Sequence, residues 1–144
     1  MQLHYAPYSP YARKVRVVAA GHDHTLELID TDTWSVPGSL YRLNPLGKVA
    51  ALDVKDGEML YDSRVICEYL NAHGSGPRLF PAQNVQRWQS LRLQALGDGI
   101  MEAAVTAFVE ASRPSETRGL GWRQRQLDAI HRNLAALDTH PNEL

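Results

Sequence analysis

Two polar segments of the sequence each stand directly before an amphipathic stretch. Ser9 precedes Pro10 in the first segment, and Asp62 and Ser63 form the second. Serine and aspartate are favoured helix caps and proline is favoured in the first turn, so both segments are predicted helix starts. A helix start offers free N–H groups and a positive dipole end, which makes both segments candidate anion-binding sites. A plain capping role is the alternative for each.

The other side chains that could react or bind metals do not form a site by their spacing. Cys67 is the only cysteine, which excludes an internal disulfide and a multi-cysteine metal site. Its position beside Ile66 in a helical pattern predicts a buried, inert thiol. His22 and His24 flank a turn without carboxylates at a metal-binding spacing, so they are predicted to be surface residues. No metal site is predicted.

Composition and charge indicate a globular protein and exclude two classes of partner. The chain has 144 residues, of which 44% are hydrophobic and 22% charged, with a formal net charge of −1. Without a basic excess we expect no nucleic acid partner, and without an apolar run of roughly 20 residues we expect no membrane span. The first ten residues, MQLHYAPYSP, lack the features of a signal peptide. These observations predict a soluble, cytoplasmic protein.

The elements that position the polar segments are predicted by the apolar pattern of the first 76 residues. Four strands are predicted, over residues 1–6, 24–30, 48–54 and 59–61, with a hairpin turn at 55–58. Helical stretches are predicted from Ser9–Pro10 to Gly21, over 40–43, and from Asp62–Ser63 to His73–Gly74. Four side chains of the last helix are predicted to face inward: Val65, Ile66, Tyr69 and Leu70. The resulting order, β-α-β-β-β-α around a short helical turn, predicts an α/β fold.

The remainder of the chain has a different character. Amphipathic patterns predict two long helices, over 85–111 and 122–138. We assign residues 1–76 to a first domain, 77–84 to a linker and 85–144 to a partial all-helical domain. Two helices do not bury both of their apolar faces alone, so they need the first domain, a partner chain or further helices.

Three segments, in this order and spacing, resemble the amino-terminal domain of bacterial glutathione S-transferases. They are YSPYARKVR at the first helix, NPLGKVAAL before the third strand, and LYDSRVICEYL across the fourth strand and the following helix. The segment QRWQSLRLQALGDGI is similar to the start of the family's helical domain. The resemblance covers essentially the whole chain. It implies an α/β thioredoxin-like domain followed by an all-α helical segment.

The resemblance also implies how glutathione would bind. In the family, the pair at the second helix start holds the γ-glutamyl end, so Ser63 is expected at its carboxylate and Asp62 at its ammonium group. The Val49 backbone is expected to pair with the cysteinyl group in a strand-like manner. Lys48 is a candidate contact for the glycyl carboxylate, and solvent exposure is its alternative.

Ser9 is the candidate catalytic residue that the resemblance implies. A hydroxyl at a helix start can donate to the glutathione sulfur and lower the pKa of the thiol, which favours the nucleophilic thiolate. Some branches of the superfamily use tyrosine instead, so Tyr5 and Tyr8 are alternatives. Ser9 occupies the position where related oxidoreductases carry cysteine, which disfavours a thiol–disulfide reaction by the protein itself.

Ala50 is the main departure from the family pattern, which usually has a cis-proline at this position. A cis bond before alanine costs about 2.5–4 kcal/mol, compared with about 0.5–1 kcal/mol before proline. The sequence therefore leaves two alternatives, a cis Val49–Ala50 bond or a trans bond that misdirects the Val49 backbone. A second departure is the chain's end at 140–144, before the family's further helices, so a fragment is expected.

The sequence thus predicts an enzyme that conjugates glutathione, as co-substrate, to a small electrophile or carries out a related glutathione-dependent reduction. No other cofactor is predicted. The alternative is a non-catalytic module of the same fold that binds other proteins. A homodimer is expected, because the family pairs the first domain of one subunit with the helical domain of the other.

Overall fold

The computed structural model describes residues 1–34, 38, 40–55 and 57–139. The chain divides into two compact units, Met1–Phe80 and a second that begins at Pro81. This boundary falls inside the segment 77–84 assigned to a linker from the sequence. Asp56, in the predicted hairpin turn, and residues 140–144 lie outside the described part of the chain.

The first unit is a four-stranded mixed sheet with helices. Its elements are β1 (Gln2–Tyr5), α1 (Pro10–Gly21), β2 (Glu27–Asp30), α2 (Leu40–Leu43), β3 (Ala51–Asp53), β4 (Met59–Leu60) and α3 (Ser63–His73). The strand order is β2-β1-β3-β4. Leu3 pairs with Leu28 of the parallel β2 and with Leu52 of the antiparallel β3. Since β4 is antiparallel to β3, it runs in the direction of β1. The predicted thioredoxin-like arrangement is confirmed.

Local capping and a shared core position the two longer helices of this unit. The Ser9 hydroxyl oxygen accepts a hydrogen bond from the Ala12 amide over 3.2 Å, and Pro10 is the first helical residue of α1. Asp62 caps α3 by accepting from the Arg64 amide over 2.9 Å. The two helices pack against each other, and their buried faces share a core with β1 and β3. Its fully buried side chains include Leu3, Val15, Leu52, Ile66, Cys67 and Leu70.

Two predictions about surfaces within this unit are wrong. Val65 was expected to face inward but is exposed, because the buried face of α3 instead includes Cys67 and Asn71. His22 was expected at the surface but is only 2% exposed. Its Nδ1 lies 3.1 Å from the Val18 carbonyl oxygen and its Nε2 lies 3.3 Å from Oδ1 of Asn71. His22 is buried because the end of α1 packs against the end of α3.

Residues 21–24, 71 and 74–79 form a set of contacts that we call the clasp. The Ser75 amide donates to the His22 carbonyl over 3.3 Å, and the Ser75 hydroxyl donates to the Asp23 carboxylate. The Leu79 amide donates to Oδ1 of Asn71 over 2.7 Å. A Cβ atom added at Gly76 would lie 2.0 Å from the Gly21 carbonyl oxygen. The clasp therefore holds the carboxyl ends of α1 and α3 together at van der Waals distance.

The second unit consists mainly of two packed helices, α4 (Val85–Ser112) and α5 (Leu120–Thr139), joined through a 3-10 turn at Ser115–Thr117. Glu110 fixes this connection, since its nearly buried carboxylate accepts from the Gly119 amide over 2.5 Å and pairs with Arg113 over 3.4 Å. Trp88, near the start of α4, is 70% exposed. No helix in the described part of the chain is long and apolar enough to cross a membrane.

The clasp predicts that alanine destabilises the first unit at one glycine and is tolerated at another. Gly76→Ala is expected to lower the free energy of unfolding by about 1–3 kcal/mol, because its methyl group has no room beside the end of α1. Gly21→Ala is the matched control, because a Cβ there meets no atom within 4 Å. Urea denaturation should show a lower midpoint for Gly76→Ala alone. Equal midpoints for the two variants would contradict the packing of the clasp.

Candidate functional site

Strand direction brings the predicted site segments to one edge of the sheet. The carboxyl ends of β1 and β4 and the amino end of β3 lie side by side, because β3 runs against both of its neighbours. The segments 6–9, 48–50 and 61–63 follow or precede these strand ends, and we call them together the site edge. Ala6, Val49 and Leu40 form one buried cluster, which joins the first two segments. The structure thus places all five sequence-predicted site residues on this edge.

Ser9 lies where α1 begins at the site edge. Its hydroxyl oxygen accepts from the Ala12 amide, which leaves the hydroxyl proton without an acceptor among the described residues. The side chain is partly exposed. A donor at a helix start, next to the positive dipole end, suits an anionic ligand atom.

Ser63 and Asp62 lie where α3 begins, and they differ in their surroundings. Asp62 is exposed and makes the cap. Ser63 is 3% exposed, yet its hydroxyl has no hydrogen-bond partner in the described part of the chain. Because it stands at a helix start, where an anion is favoured, this hydroxyl is a candidate contact for a ligand.

Val49 presents unpaired backbone at the middle of the site edge. The residue is 9% exposed, and neither its N–H nor its C=O has a hydrogen-bond partner among residues that the structure describes. Backbone groups of a nearly buried residue are costly to leave unpaired. The Val49–Ala50 bond is cis, which answers the alternative that the sequence left open, and Tyr61–Asp62 is also cis.

Lys48 is exposed, and the loop before it is ordered by a residue that sequence reasoning missed. Asn44 is 1% exposed, and its side chain bonds both the Lys48 carbonyl and the Leu46 amide. Gly47, with φ of +64°, completes the loop in a conformation that glycine tolerates best. The available signal was the asparagine in NPLGK, three residues before a glycine, because asparagine side chains commonly bond nearby backbone in turns.

The two tyrosines proposed as alternatives to Ser9 have different settings. Tyr5 ends β1 and is partly buried, with the Arg16 guanidinium carbon 5.8 Å from its ring centroid. Tyr8 is exposed and directly precedes Ser9. Tyr8 therefore stays an alternative to Ser9 as the activating residue, whereas Tyr5 packs against Arg16.

His4 is a residue of β1 whose pKa is shifted by its surroundings, and its contacts are structural. Burial lowers the pKa of His4 below its usual value, and the Asp53 carboxylate opposes this effect. Its Nδ1 lies 3.3 Å from the Thr31 hydroxyl oxygen. Within the described ranges no group of three or more His, Cys, Asp or Glu side chains could hold a metal ion.

The spacing of the site edge fits an extended peptide of three residues. Neighbouring strands are about 4.8 Å apart, so β1 and β4, with β3 between them, are separated by roughly 10 Å. Three extended residues span about the same distance at roughly 3.3 Å each. A tripeptide could therefore place an anion at Ser63, its backbone at Val49 and a reactive group at Ser9.

Comparison with known proteins gives consistent similarities. The sequence profile of the glutathione S-transferase N-terminal domain matches residues 8–73. The chain is 30% identical, over 130 residues, to the uncharacterized GST-like protein YibF of Escherichia coli, covering 90% of this chain and 64% of that protein. The chain thus spans slightly less than two thirds of this relative's length.

Two solved structures are similar over nearly the whole chain. A glutathione S-transferase from Methylobacillus flagellatus, with GSH bound, has a TM-score of 0.88 and 38% identity, covering 96% of this chain and 68% of that one. A glutathione transferase family member from Pseudomonas fluorescens, with bound glutathione, has a TM-score of 0.86 and 38% identity, covering 96% and 70%.

The surroundings of the two serines predict different stability effects. Ser9→Ala is expected to lower the free energy of unfolding of the ligand-free protein by about 1 kcal/mol, because a helix cap is lost. Ser63→Ala is expected to change it by less than about 0.5 kcal/mol, because no hydrogen bond to the described residues is lost. Urea denaturation of both variants checks this difference. An equal loss for Ser63→Ala would mean that its hydroxyl is partnered in the free protein.

Proposed function

The chain belongs to the glutathione S-transferase family, and from this premise we propose that its first unit binds glutathione along the site edge and activates the thiol. The observation that carries the proposal is a row of polar groups with bonding capacity left over among the described residues, namely the Ser63 hydroxyl, the Val49 backbone and the hydroxyl proton of Ser9. A short peptide with an anionic end can supply partners to all three. Glutathione has this chemistry.

The proposed pose assigns one part of glutathione to each segment of the site edge. The γ-glutamyl carboxylate accepts from the Ser63 hydroxyl and lies at the positive end of α3, while its ammonium group faces the exposed Asp62. The cysteinyl group pairs with the backbone N–H and C=O of Val49. Lys48 meets the glycyl carboxylate, as the family resemblance implies. This contact is the weakest of the set, because the Lys48 side chain is exposed to solvent.

The proposed reaction starts from the thiol of bound glutathione. The Ser9 hydroxyl donates to sulfur, which lowers the pKa of the thiol, and the thiol proton leaves to solvent. The thiolate then forms a carbon–sulfur bond with the electrophile, and the leaving group departs with its electron pair. Ser9 forms no covalent bond. The only cysteine, Cys67, is buried as predicted, which opposes a role as nucleophile.

We expect Ser63 to contribute mainly to the binding of glutathione and Ser9 mainly to the activation of its thiol. Ser63→Ala should raise the Kd for glutathione about 10- to 100-fold, because a hydrogen bond to a charged group contributes about 1.5–3 kcal/mol. Ser9→Ala should leave the Kd nearly unchanged and lower kcat with an activated aryl chloride about 100-fold. Calorimetry and steady-state kinetics measure the two effects.

Tyr8→Phe and Tyr5→Phe are the matched controls for this experiment, since each removes a rival hydroxyl and keeps the ring. Both should retain kcat near that of the unmodified protein. Loss of kcat in Tyr8→Phe but not in Ser9→Ala would transfer the activating role to Tyr8. Absence of any saturable heat with glutathione would instead favour the alternative, a protein-binding module of the same fold.

We also propose a homodimer, in keeping with the resemblance described above. The described part of the second unit exposes seven large apolar side chains on its two helices, namely Val85, Trp88, Phe108, Val109, Leu120, Trp122 and Leu134. Isolated apolar residues are common on surfaces, but seven on two packed helices favour a covered face.

Sedimentation equilibrium is expected to give twice the monomer mass. Trp88→Glu should shift the protein toward the monomer, because a charge would be buried in the interface. Val17→Glu, at an exposed position of α1, is the control and should leave the mass unchanged. A monomer at all concentrations of the unmodified protein would contradict the proposal.

A further inference from the structure

We propose that Asn44 is a positioning residue for glutathione, and that it acts by fixing the peptide plane between Lys48 and Val49. This inference rests on the proposed function. Asn44 lies in the loop that joins α2 to β3 and has no direct place in the row of ligand-facing groups. Its side chain is 1% exposed, so it acts through its contacts with the backbone.

Every polar group of Asn44, in the backbone and in the side chain, forms a hydrogen bond with a nearby backbone group. Its amide donates to the Leu40 carbonyl over 2.8 Å, and its carbonyl accepts from the Gly47 amide over 2.9 Å. Its side-chain Oδ1 accepts from the Leu46 amide over 2.9 Å. Its Nδ2 donates to the Lys48 carbonyl over 2.7 Å. One buried side chain therefore connects the start of the loop to its end.

The last of these bonds sets the direction of the Val49 N–H. The Lys48 carbonyl and the Val49 N–H belong to one planar peptide unit, which is trans, so the two groups point in opposite directions. Holding the carbonyl toward Asn44 turns the N–H away from Asn44. This N–H has no hydrogen-bond partner among the described residues. It is thereby held ready for an acceptor on the ligand, the cysteinyl carbonyl oxygen in the proposed pose.

Packing on both sides of the Lys48–Val49 peptide supports this orientation. A Cβ atom added at Gly47 would lie 2.7 Å from Cε1 of the Tyr41 ring. The Val49 side chain is held in the buried cluster with Ala6 and Leu40. The Lys48–Val49 peptide plane lies between these two packed positions, and the Asn44 bond to the Lys48 carbonyl orients it.

The test compares two ligands that differ in the group that Val49 would meet. Glutathione carries the cysteinyl carbonyl, whereas γ-glutamylmethylamide retains the γ-glutamyl end and lacks that carbonyl. Asn44→Ala is expected to raise the Kd for glutathione at least 10-fold and the Kd for γ-glutamylmethylamide less than 2-fold. Both are measured by calorimetry or ligand-observed NMR at a temperature where circular dichroism shows the folded state.

Two further variants separate positioning from loss of stability. Gly76→Ala destabilises the same unit at the clasp, and its Kd for glutathione should equal that of the unmodified protein. Asn44→Asp keeps an acceptor for the Leu46 amide and loses the donor to Lys48, so it should behave as Asn44→Ala does and serves if that variant does not fold. Equal weakening of both ligands, or no weakening, would overturn the inference. Failure of the unmodified protein to bind glutathione would instead overturn the proposed function.

Discussion

The reversal of one strand is the constraint on which the candidate site depends. β3 lies between β1 and β4 and runs against both, so its first residues meet the last residues of its neighbours. Helices α1 and α3 follow β1 and β4, and both therefore begin at this edge. In this way two helix starts and the Val49 backbone are brought together, although they lie far apart along the chain. The clasp at the other ends of α1 and α3 keeps the two helix starts in register.

The same arrangement explains why the ligand-free site carries polar groups without partners. Ser63 and Val49 are nearly buried, and the described residues provide no hydrogen bonds for the Ser63 hydroxyl or the Val49 backbone. An unpaired backbone group of a nearly buried residue such as Val49 costs free energy in the unbound protein, which a bound ligand can recover. By contrast, Ser9 serves as both cap and donor, because a hydroxyl can accept from Ala12 and still donate its proton. The Ser9 side chain therefore contributes to the stability of α1 and, in the proposed pose, also to glutathione activation.

Features with a local signal could be predicted from the sequence, and features created by packing could not. The helix starts at Ser9 and Asp62 and the short helix at 40–43 were predicted because caps, prolines and apolar spacing act within a few residues. The burial of His22 depends on Asn71, 49 positions away, which no local pattern encodes. Val65 was misassigned for a similar reason, since the direction from which β1, β3 and α1 pack selects the buried face of α3. The role proposed for Asn44 needed the bond from its side chain to Lys48, which only the folded loop shows.

The most direct measurement of the central claim, that glutathione binds along the site edge, is a titration of the ¹⁵N-labelled protein with glutathione, followed by NMR. The account predicts saturable shifts of the backbone amides of Ser9, Val49 and Ser63, with the clasp amides of His22 and Ser75 unmoved. Shifts confined to other parts of the protein, or no saturable shift, would contradict it.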